Sequence, residues 1–106
     1  MRKFGLIGYP LEHSFSQEYF TKKFQRENIL DAEYNNYPLS DLSLFENLII
    51  GNPFLKGLNV TIPYKESIIH CLDLLDPISS EIQAVNTIKI TQQSGTHQLI
   101  GYNTDA

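Results

Sequence analysis

The sequence predicts an α/β domain with three layers, in which helices cover both faces of a mostly parallel sheet. Short apolar segments typical of strands alternate along the chain with segments whose apolar residues recur at helical spacing. Strands that alternate with helices form parallel sheets, because the crossover helix returns the chain to the same edge. Two strand-like segments near the end are separated only by a polar turn containing Gly95. They predict a C-terminal β-hairpin, which contributes an antiparallel strand.

The first half of the chain contains two strand–helix units. The predicted elements are a strand over residues 3–8, a helix over 17–30, a strand over 32–37 and a helix opened by Ser40 and Asp41. Gly8-Tyr9-Pro10 is a turn signal that ends the first strand, and Pro38 ends the second. Ser14 and Gln17 have the spacing of a helix capping box, and Ser16 is a second possible cap.

The second half contains a further strand, two helices and the hairpin. The predicted elements are a strand over residues 57–62, helices over 64–72 and 77–84, and strands over 85–91 and 97–102. Pro63 suits the first position of the helix that follows it, since its missing N–H would have no partner there. With 42% hydrophobic and 19% charged residues among 106, these elements can bury one core.

Composition excludes several classes of function. Eight basic and twelve acidic side chains give a net charge of −4, which argues against a nucleic-acid surface. Cys71 is the single cysteine, so no internal disulfide forms, and it has no neighbours at metal-ligand spacing. We find no run of roughly 18 apolar residues and no room for a signal peptide at the start. We therefore expect a cytoplasmic protein with no metal site and no membrane segment.

Polar side chains cluster where the predicted parallel strands end. In open α/β sheets, ligands bind outside the carboxyl ends of the strands. Hydroxyl and amide groups there can hydrogen-bond a small polyhydroxylated acid. The candidate residues are Ser14, Ser16, Asn59, Thr61, Lys65, Asn86 and Asp105.

Lys65 is the candidate acid–base group. The predicted helix after Pro63 places Lys65 in a first turn, where the positive end of the helix dipole disfavours an ammonium ion. We expect this position to lower the pKa of Lys65 and Asp105 to orient the amine. Lys65 could equally be a surface lysine and Asp105 a turn residue. The serines could act only as helix caps, and the asparagines could only fix loops.

Four blocks of sequence resemble the motif series of the shikimate dehydrogenase family, in the family's order and at close to its spacing. The resemblance spans nearly the whole chain, and the second block is the most specific. The blocks are Gly8-Tyr9-Pro10-Leu11-Glu12-His13-Ser14-Phe15-Ser16, Asn59-Val60-Thr61-Ile62-Pro63-Tyr64-Lys65-Glu66, Ala84-Val85-Asn86-Thr87 and Asn103-Thr104-Asp105.

The resemblance implies an oxidoreductase that converts 3-dehydroshikimate to shikimate with NADPH during aromatic amino-acid biosynthesis. Family members bind the substrate with an N-terminal domain and NADP with a C-terminal Rossmann domain. Carried over by position, Ser14 and Ser16 would bind the substrate carboxylate. Ring hydroxyls would be contacted by Asn59, Thr61, Asn86 and Asp105. Lys65 would be the catalytic acid–base residue, paired with Asp105.

Two departures from the family qualify these expectations. Gln17 stands where the family commonly has proline, and no Gly-x-Gly-x-x-Gly fingerprint occurs in the 106 residues. We therefore expect residues 1–106 to be a substrate-binding domain truncated before the NADP-binding domain, and inactive alone. The alternatives are a quinate/shikimate dehydrogenase domain, a non-catalytic module that binds small hydroxy acids, or an interaction module. The sequence leaves a homodimer open, as well as the choice between NADP and NAD.

Overall fold

The computed structural model describes residues 1–11, 15–93 and 95–105, and it contains six strands and three α-helices in that part of the chain. The strands are β1 (Arg2–Gly8), β2 (Ala32–Pro38), β3 (Leu55–Val60), β4 (Leu74–Leu75), β5 (Thr87–Gln93) and β6 (Thr96–Tyr102). The helices are α1 (Phe15–Arg26), α2 (Phe45–Gly51) and α3 (Pro77–Ile82), with short 3-10 helices at Leu42–Leu44 and Ser67–Cys71.

The six strands form one sheet in the order β2-β1-β3-β5-β6-β4. β1 is parallel to both β2 and β3, and β4 is parallel to β6. β5 is antiparallel to its neighbours β3 and β6. The predicted mostly parallel sheet with a C-terminal hairpin is therefore confirmed. Because β5 runs against its neighbours, its first residues lie at the edge where β3 and β6 end.

The two faces of the sheet are covered by different helices. On one face, Ile7 of β1 and Val60 of β3 are paired and buried, and they belong to a cluster that includes Phe45 of α2 and Ile68. On the other face, the α1 side chains Phe20 and Phe24 pack against rings from the sheet. This arrangement is the three-layer architecture that the sequence predicts. The whole buried cluster is Ile7, Leu39, Phe45, Ile49, Leu55, Leu58, Val60, Tyr64, Ile68, Val85, Ile88 and Ile90.

The predicted helix over residues 64–72 is wrong. Only the 3-10 helix at Ser67–Cys71 forms, and Lys65 lies in the turn before it. The backbone explains the difference, because the Lys65 carbonyl accepts a hydrogen bond from the Val85 N–H at 2.7 Å. The Ile69 N–H, which would donate to the Lys65 carbonyl in an α-helix, donates instead to the Glu66 carbonyl at 3.3 Å, as in a 3-10 helix.

Other boundaries differ by a few residues. α1 ends at Arg26 rather than residue 30, since Asn28 adopts a left-handed conformation with φ of 53°. β3 begins and ends two residues earlier than predicted, and the strand predicted from residue 85 begins at Thr87. Ser16 lies within the first turn of α1 rather than at its cap. The two-residue strand β4 was not predicted, because alternation cannot be recognised over so short a segment.

Candidate active site

Backbone hydrogen bonds bring four strand ends together at one edge of the sheet. The Thr61 N–H donates to the Ile7 carbonyl at 3.0 Å, which joins the end of β3 to the end of β1. On the other side, Val60 donates to the Asn86 carbonyl at 2.8 Å. Asn86 in turn donates to the Tyr102 carbonyl at 3.0 Å. The ends of β1, β3 and β6 therefore meet the beginning of β5, and the candidate polar residues lie along this edge.

Lys65 and Asp105 face each other across this edge. Lys65 Nζ lies 3.8 Å from Asp105 Oδ2, and the two side chains are 44% and 70% exposed. The Asp105 N–H donates to Asn103 Oδ1 at 2.9 Å, and Asn103 Nδ2 donates to the Ala84 carbonyl at 3.2 Å. An ion pair this exposed adds little to stability. The two groups remain accessible to a ligand, although the helix dipole expected to act on Lys65 is absent.

Asn86 fastens the segment after β6 to the start of β5. Its Nδ2 donates to Thr104 Oγ1 at 2.9 Å, while its Oδ1 accepts from the Thr104 N–H at 3.0 Å. The Thr87 hydroxyl donates to the same Oδ1 at 3.0 Å. These bonds hold the residues that lead into Asp105. Since an amide nitrogen carries two hydrogens, Asn86 keeps one donor that is not committed to Thr104.

A third group of polar residues surrounds a buried tyrosine on β2. Asn59 Nδ2 donates to the Tyr34 hydroxyl at 2.8 Å, and Ser16 of α1 hydrogen-bonds the same hydroxyl. Tyr34 is 5% exposed, and its ring stacks on Phe20 with 4.7 Å between centroids. Burial raises the pKa of Tyr34, and the hydrogen bonds of Asn59 and Ser16 oppose that shift. The three side chains come from α1, β2 and β3.

Sequence reasoning identified Ser16 and Asn59 but missed Tyr34. The available signal was the alternation of side-chain direction along β2, which places Tyr34 on the face that α1 covers. A buried tyrosine hydroxyl usually requires a hydrogen-bond partner, so a polar neighbour was to be expected there. The structure also joins this group to the previous one, because Asn59 pairs with Thr87, and the Thr87 hydroxyl bonds Asn86.

Gly8 allows the end of β1 to approach Thr61 closely. A Cβ atom at Gly8 would lie 2.5 Å from the Thr61 methyl and 2.9 Å from the Ile62 carbonyl oxygen. Any larger residue would push the two loops apart. Thr61 is therefore held beside the end of β1, as the sequence predicts. Ser14, the other candidate in the loop after β1, lies outside the described residues.

An apolar groove of about 440 Å³ runs along the face that α1 partly covers. Phe4, Phe20 and Phe24 line its wall, and Asn59 and Thr87 lie among its lining residues. In the described part of the chain, no three His, Cys, Asp or Glu side chains are grouped to hold a metal. No helix among the described residues is long and apolar enough to span a bilayer.

The sequence of this chain matches a known protein family. A family model described as the shikimate dehydrogenase substrate binding domain matches residues 6–88. This chain belongs to that family. The match runs from the end of β1 to the start of β5, and so it includes the Ser16, Asn59 and Asn86 positions.

Individual members of the family are similar along nearly the whole chain. The shikimate dehydrogenase (NADP(+)) of Dictyoglomus turgidum is 44% identical over 104 residues, which cover 96% of this chain and 36% of that protein. The crystal structure of shikimate dehydrogenase 1 from Peptoclostridium difficile matches with a TM-score of 0.84 and 39% identity, covering 99% of this chain and 38% of that one. A Thermus thermophilus shikimate 5-dehydrogenase, solved in complex with shikimate, matches with a TM-score of 0.82 and 31% identity. The match covers 100% of this chain and 39% of that one. The chain thus spans between a third and two fifths of the length of these three proteins.

Proposed function

We propose that this chain is the substrate-binding and acid–base part of an NADP-dependent shikimate dehydrogenase. The observation that carries the proposal is the pairing of Lys65 Nζ with Asp105 Oδ2 at 3.8 Å, on the sheet edge where the hydroxyl and amide side chains gather. Family membership supports the substrate class. The name of the Dictyoglomus relative supports NADP as the coenzyme, and the shikimate bound in the Thermus structure supports the ligand.

In this proposal Lys65 moves the proton of the reaction. Reduction of a ketone to an alcohol requires a hydride at carbon and a proton at oxygen. Lys65 in its ammonium form would donate that proton to the substrate oxygen, and in the reverse direction its amine would accept it. The Asp105 carboxylate would orient the amine and stabilise its charged form. The exposure of both side chains leaves them able to reach a bound ligand.

The remaining polar residues would bind the substrate. Ser16, together with Ser14, would hold the carboxylate near the start of α1, where free backbone N–H groups favour an anion. Asn59 and Thr61 would contact ring hydroxyls. Asn86 has one amide hydrogen left after its bond to Thr104 Oγ1, and that hydrogen would be donated to a further hydroxyl.

The coenzyme would be held by residues other than these 106. The chain has no Gly-x-Gly-x-x-Gly segment, so it lacks the glycine-rich turn that cradles a dinucleotide. We therefore propose that the 106-residue polypeptide alone binds shikimate weakly and does not turn it over, because nothing in it orients a hydride donor. A cytoplasmic location and a homodimer stay predictions from the sequence.

Replacement of Lys65 separates catalysis from simple binding of a hydroxy acid. In the protein that carries this chain, we expect Lys65→Ala to lower kcat for shikimate oxidation by about 10²–10⁴-fold, since proton transfer in the transition state is lost. KM should change far less. The measurement is steady-state kinetics with shikimate and NADP, and quinate as a second substrate tests the quinate/shikimate alternative.

Lys56→Ala is the matched control, because Lys56 is an exposed lysine on β3. It should leave both constants unchanged. If Lys65→Ala kept its kcat and raised KM instead, Lys65 would supply only a charge for binding, and its proposed acid–base role would be wrong. If the unaltered protein neither bound nor oxidised shikimate, the proposed function would be wrong.

A further inference from the structure

Tyr34 belongs to none of the sequence blocks that suggested the site, yet its hydroxyl contacts two of the proposed substrate-binding side chains. We infer that Tyr34 is a positioning residue whose hydroxyl fixes the orientation of the Asn59 amide. Asn59 then presents its carbonyl oxygen to the substrate. The inference rests on the proposed function, in which Asn59 binds the substrate.

The ring of Tyr34 is held firmly enough to place its hydroxyl. It is 5% exposed and stacks on Phe20 of α1 with 21° between the ring planes. On the sheet, Tyr34 pairs with Phe4 of β1, which in turn packs against Phe24 at 6.4 Å. Aromatic packing of this kind restricts a ring to one position. The hydroxyl therefore stands at a defined point between the start of α1 and the end of β3.

The orientation of the Asn59 amide follows from the hydrogens that are available. A tyrosine hydroxyl has one proton to donate and also accepts hydrogen bonds. Asn59 Nδ2 donates to the Tyr34 oxygen at 2.8 Å, so this bond uses accepting capacity. The Ser16 hydroxyl bonds the same oxygen, and both bonds lower the pKa of Tyr34, as bonds donated to a tyrosine oxygen do.

The Asn59 amide then has a fixed polarity. Its donor side is turned to Tyr34, which leaves its Oδ1 to accept a hydrogen bond from a substrate hydroxyl. A substrate with a hydroxyl at the end of β3 matches this polarity.

Replacement of Tyr34 by phenylalanine tests the inference, because it removes the hydroxyl and keeps the stacked ring. In the protein that carries this chain, we expect Tyr34→Phe to raise KM for shikimate about 10-fold and to change kcat by less than about 2-fold, since a ground-state binding geometry is lost. Tyr37→Phe is the matched control. Tyr37 lies on the same strand with its ring beside Gly5, and this variant should leave KM unchanged.

A double-mutant cycle distinguishes positioning from a general structural effect. If Tyr34 acts through Asn59, Tyr34→Phe should raise KM by less than about 2-fold once Asn59→Ala is present. Independent effects would multiply instead, and that result would overturn the inference. So would an unchanged KM in Tyr34→Phe of a protein that turns over shikimate normally; the proposed function would then still stand.

A measurement without ligand separates the two proposals completely. The side-chain NH₂ resonances of Asn59 in NMR spectra of the protein should shift in Tyr34→Phe and stay in place in Tyr37→Phe. Resonances that do not move in Tyr34→Phe contradict the positioning of Asn59 by Tyr34, whatever the substrate is. Loss of all shikimate binding and turnover in the unaltered protein contradicts the proposed function, and with it the substrate role given to Tyr34.

Discussion

Ser79 is the single polar residue that is completely buried within the described part of the chain, at 0% exposure. Its hydroxyl lies 3.1 Å from the Gly101 carbonyl oxygen and also contacts the carboxylate of Asp76. It therefore joins the first turn of α3 to β6. The Asp76 N–H donates to the same Gly101 carbonyl at 2.9 Å, so the two contacts act on one acceptor.

Replacement of Ser79 by alanine should lower the free energy of unfolding by about 0.5–1.5 kcal/mol, the usual net value of a buried hydrogen bond. The effect should not be larger, because the Gly101 carbonyl still accepts a hydrogen bond from the Asp76 N–H. Urea unfolding followed by circular dichroism measures the change. Ser80→Ala is the control, since Ser80 is the next residue and is exposed. Equal effects in the two variants would contradict the role assigned to the buried hydroxyl.

At this scale, the sequence could predict one contact between candidate side chains but not another. Lys65 and Asp105 were named together from the pattern, and the structure places them 3.8 Å apart, although their catalytic role stays a prediction. The contact between Tyr34 and Asn59 could not be predicted from the sequence. Asn59 is 25 positions away from Tyr34 on another strand, and only the order of strands in the sheet brings the two together.

Among the helices, α3 has the clearest sequence signals, and it begins where they indicate. Asp76 caps it, with the Ser79 N–H donating to Asp76 Oδ1 at 2.9 Å, and Pro77 occupies the first turn. Gln83 ends it in a left-handed conformation with φ of 57°. The predicted helix over 64–72 had an equally clear start signal in Pro63. Its first turn does not form, because the Lys65 carbonyl accepts a hydrogen bond from the Val85 N–H. Local signals cannot reveal a distant competitor for a carbonyl.

The cap of α3 should make stability depend on pH. Hydrogen bonds from Ser79 lower the pKa of Asp76 below its ordinary value of 3.8. The folded state therefore favours the ionised carboxylate. This contribution is present above pH 3.8 and is lost as the pH falls through the lowered pKa of the folded protein.

Asp76→Asn keeps an acceptor for the cap but cannot ionise. Its melting temperature should lie below that of the unaltered protein at pH 7, and the difference should shrink at about pH 2–3. Thermal melts at the two pH values measure this. Glu81→Gln, which removes an exposed charge from the same helix, is the control. A difference that stays constant with pH would show that the charge of Asp76 contributes nothing.

Over the whole molecule, one buried cluster joins strands β1, β3 and β5 to α2 and to the 3-10 helix at Ser67–Cys71. The three-layer arrangement that creates it was predictable, because strands and helices alternate along the chain. The strand order and β4 were not. They depend on pairings between segments far apart in sequence, such as Leu74 with Ile100.

Because the cluster is shared, a cavity in it should destabilise the domain as a unit. Ile88 is 0% exposed, and Ile88→Ala should cost about 2–5 kcal/mol in the free energy of unfolding. Tyrosine absorbance and far-UV circular dichroism should still report one common transition. Leu30→Ala, at a side chain that is 84% exposed, should change stability by less than about 0.5 kcal/mol. Separate transitions for the two probes would indicate independently folding layers.

The reversed direction of β5 has a practical consequence for anyone who wishes to attach something to this protein. The strand enters at the candidate-site edge and leaves at the opposite one, so the turn that contains Gly95 is a whole strand length from Asn86. A Cβ at Gly95 would meet no atom within 4 Å, but the φ of 80° strains any other residue there, so Gly95 itself should be kept. A fluorophore, an affinity tag or an inserted peptide that keeps Gly95 should be tolerated beside it, whereas the same change before β5 would disturb the candidate-site edge.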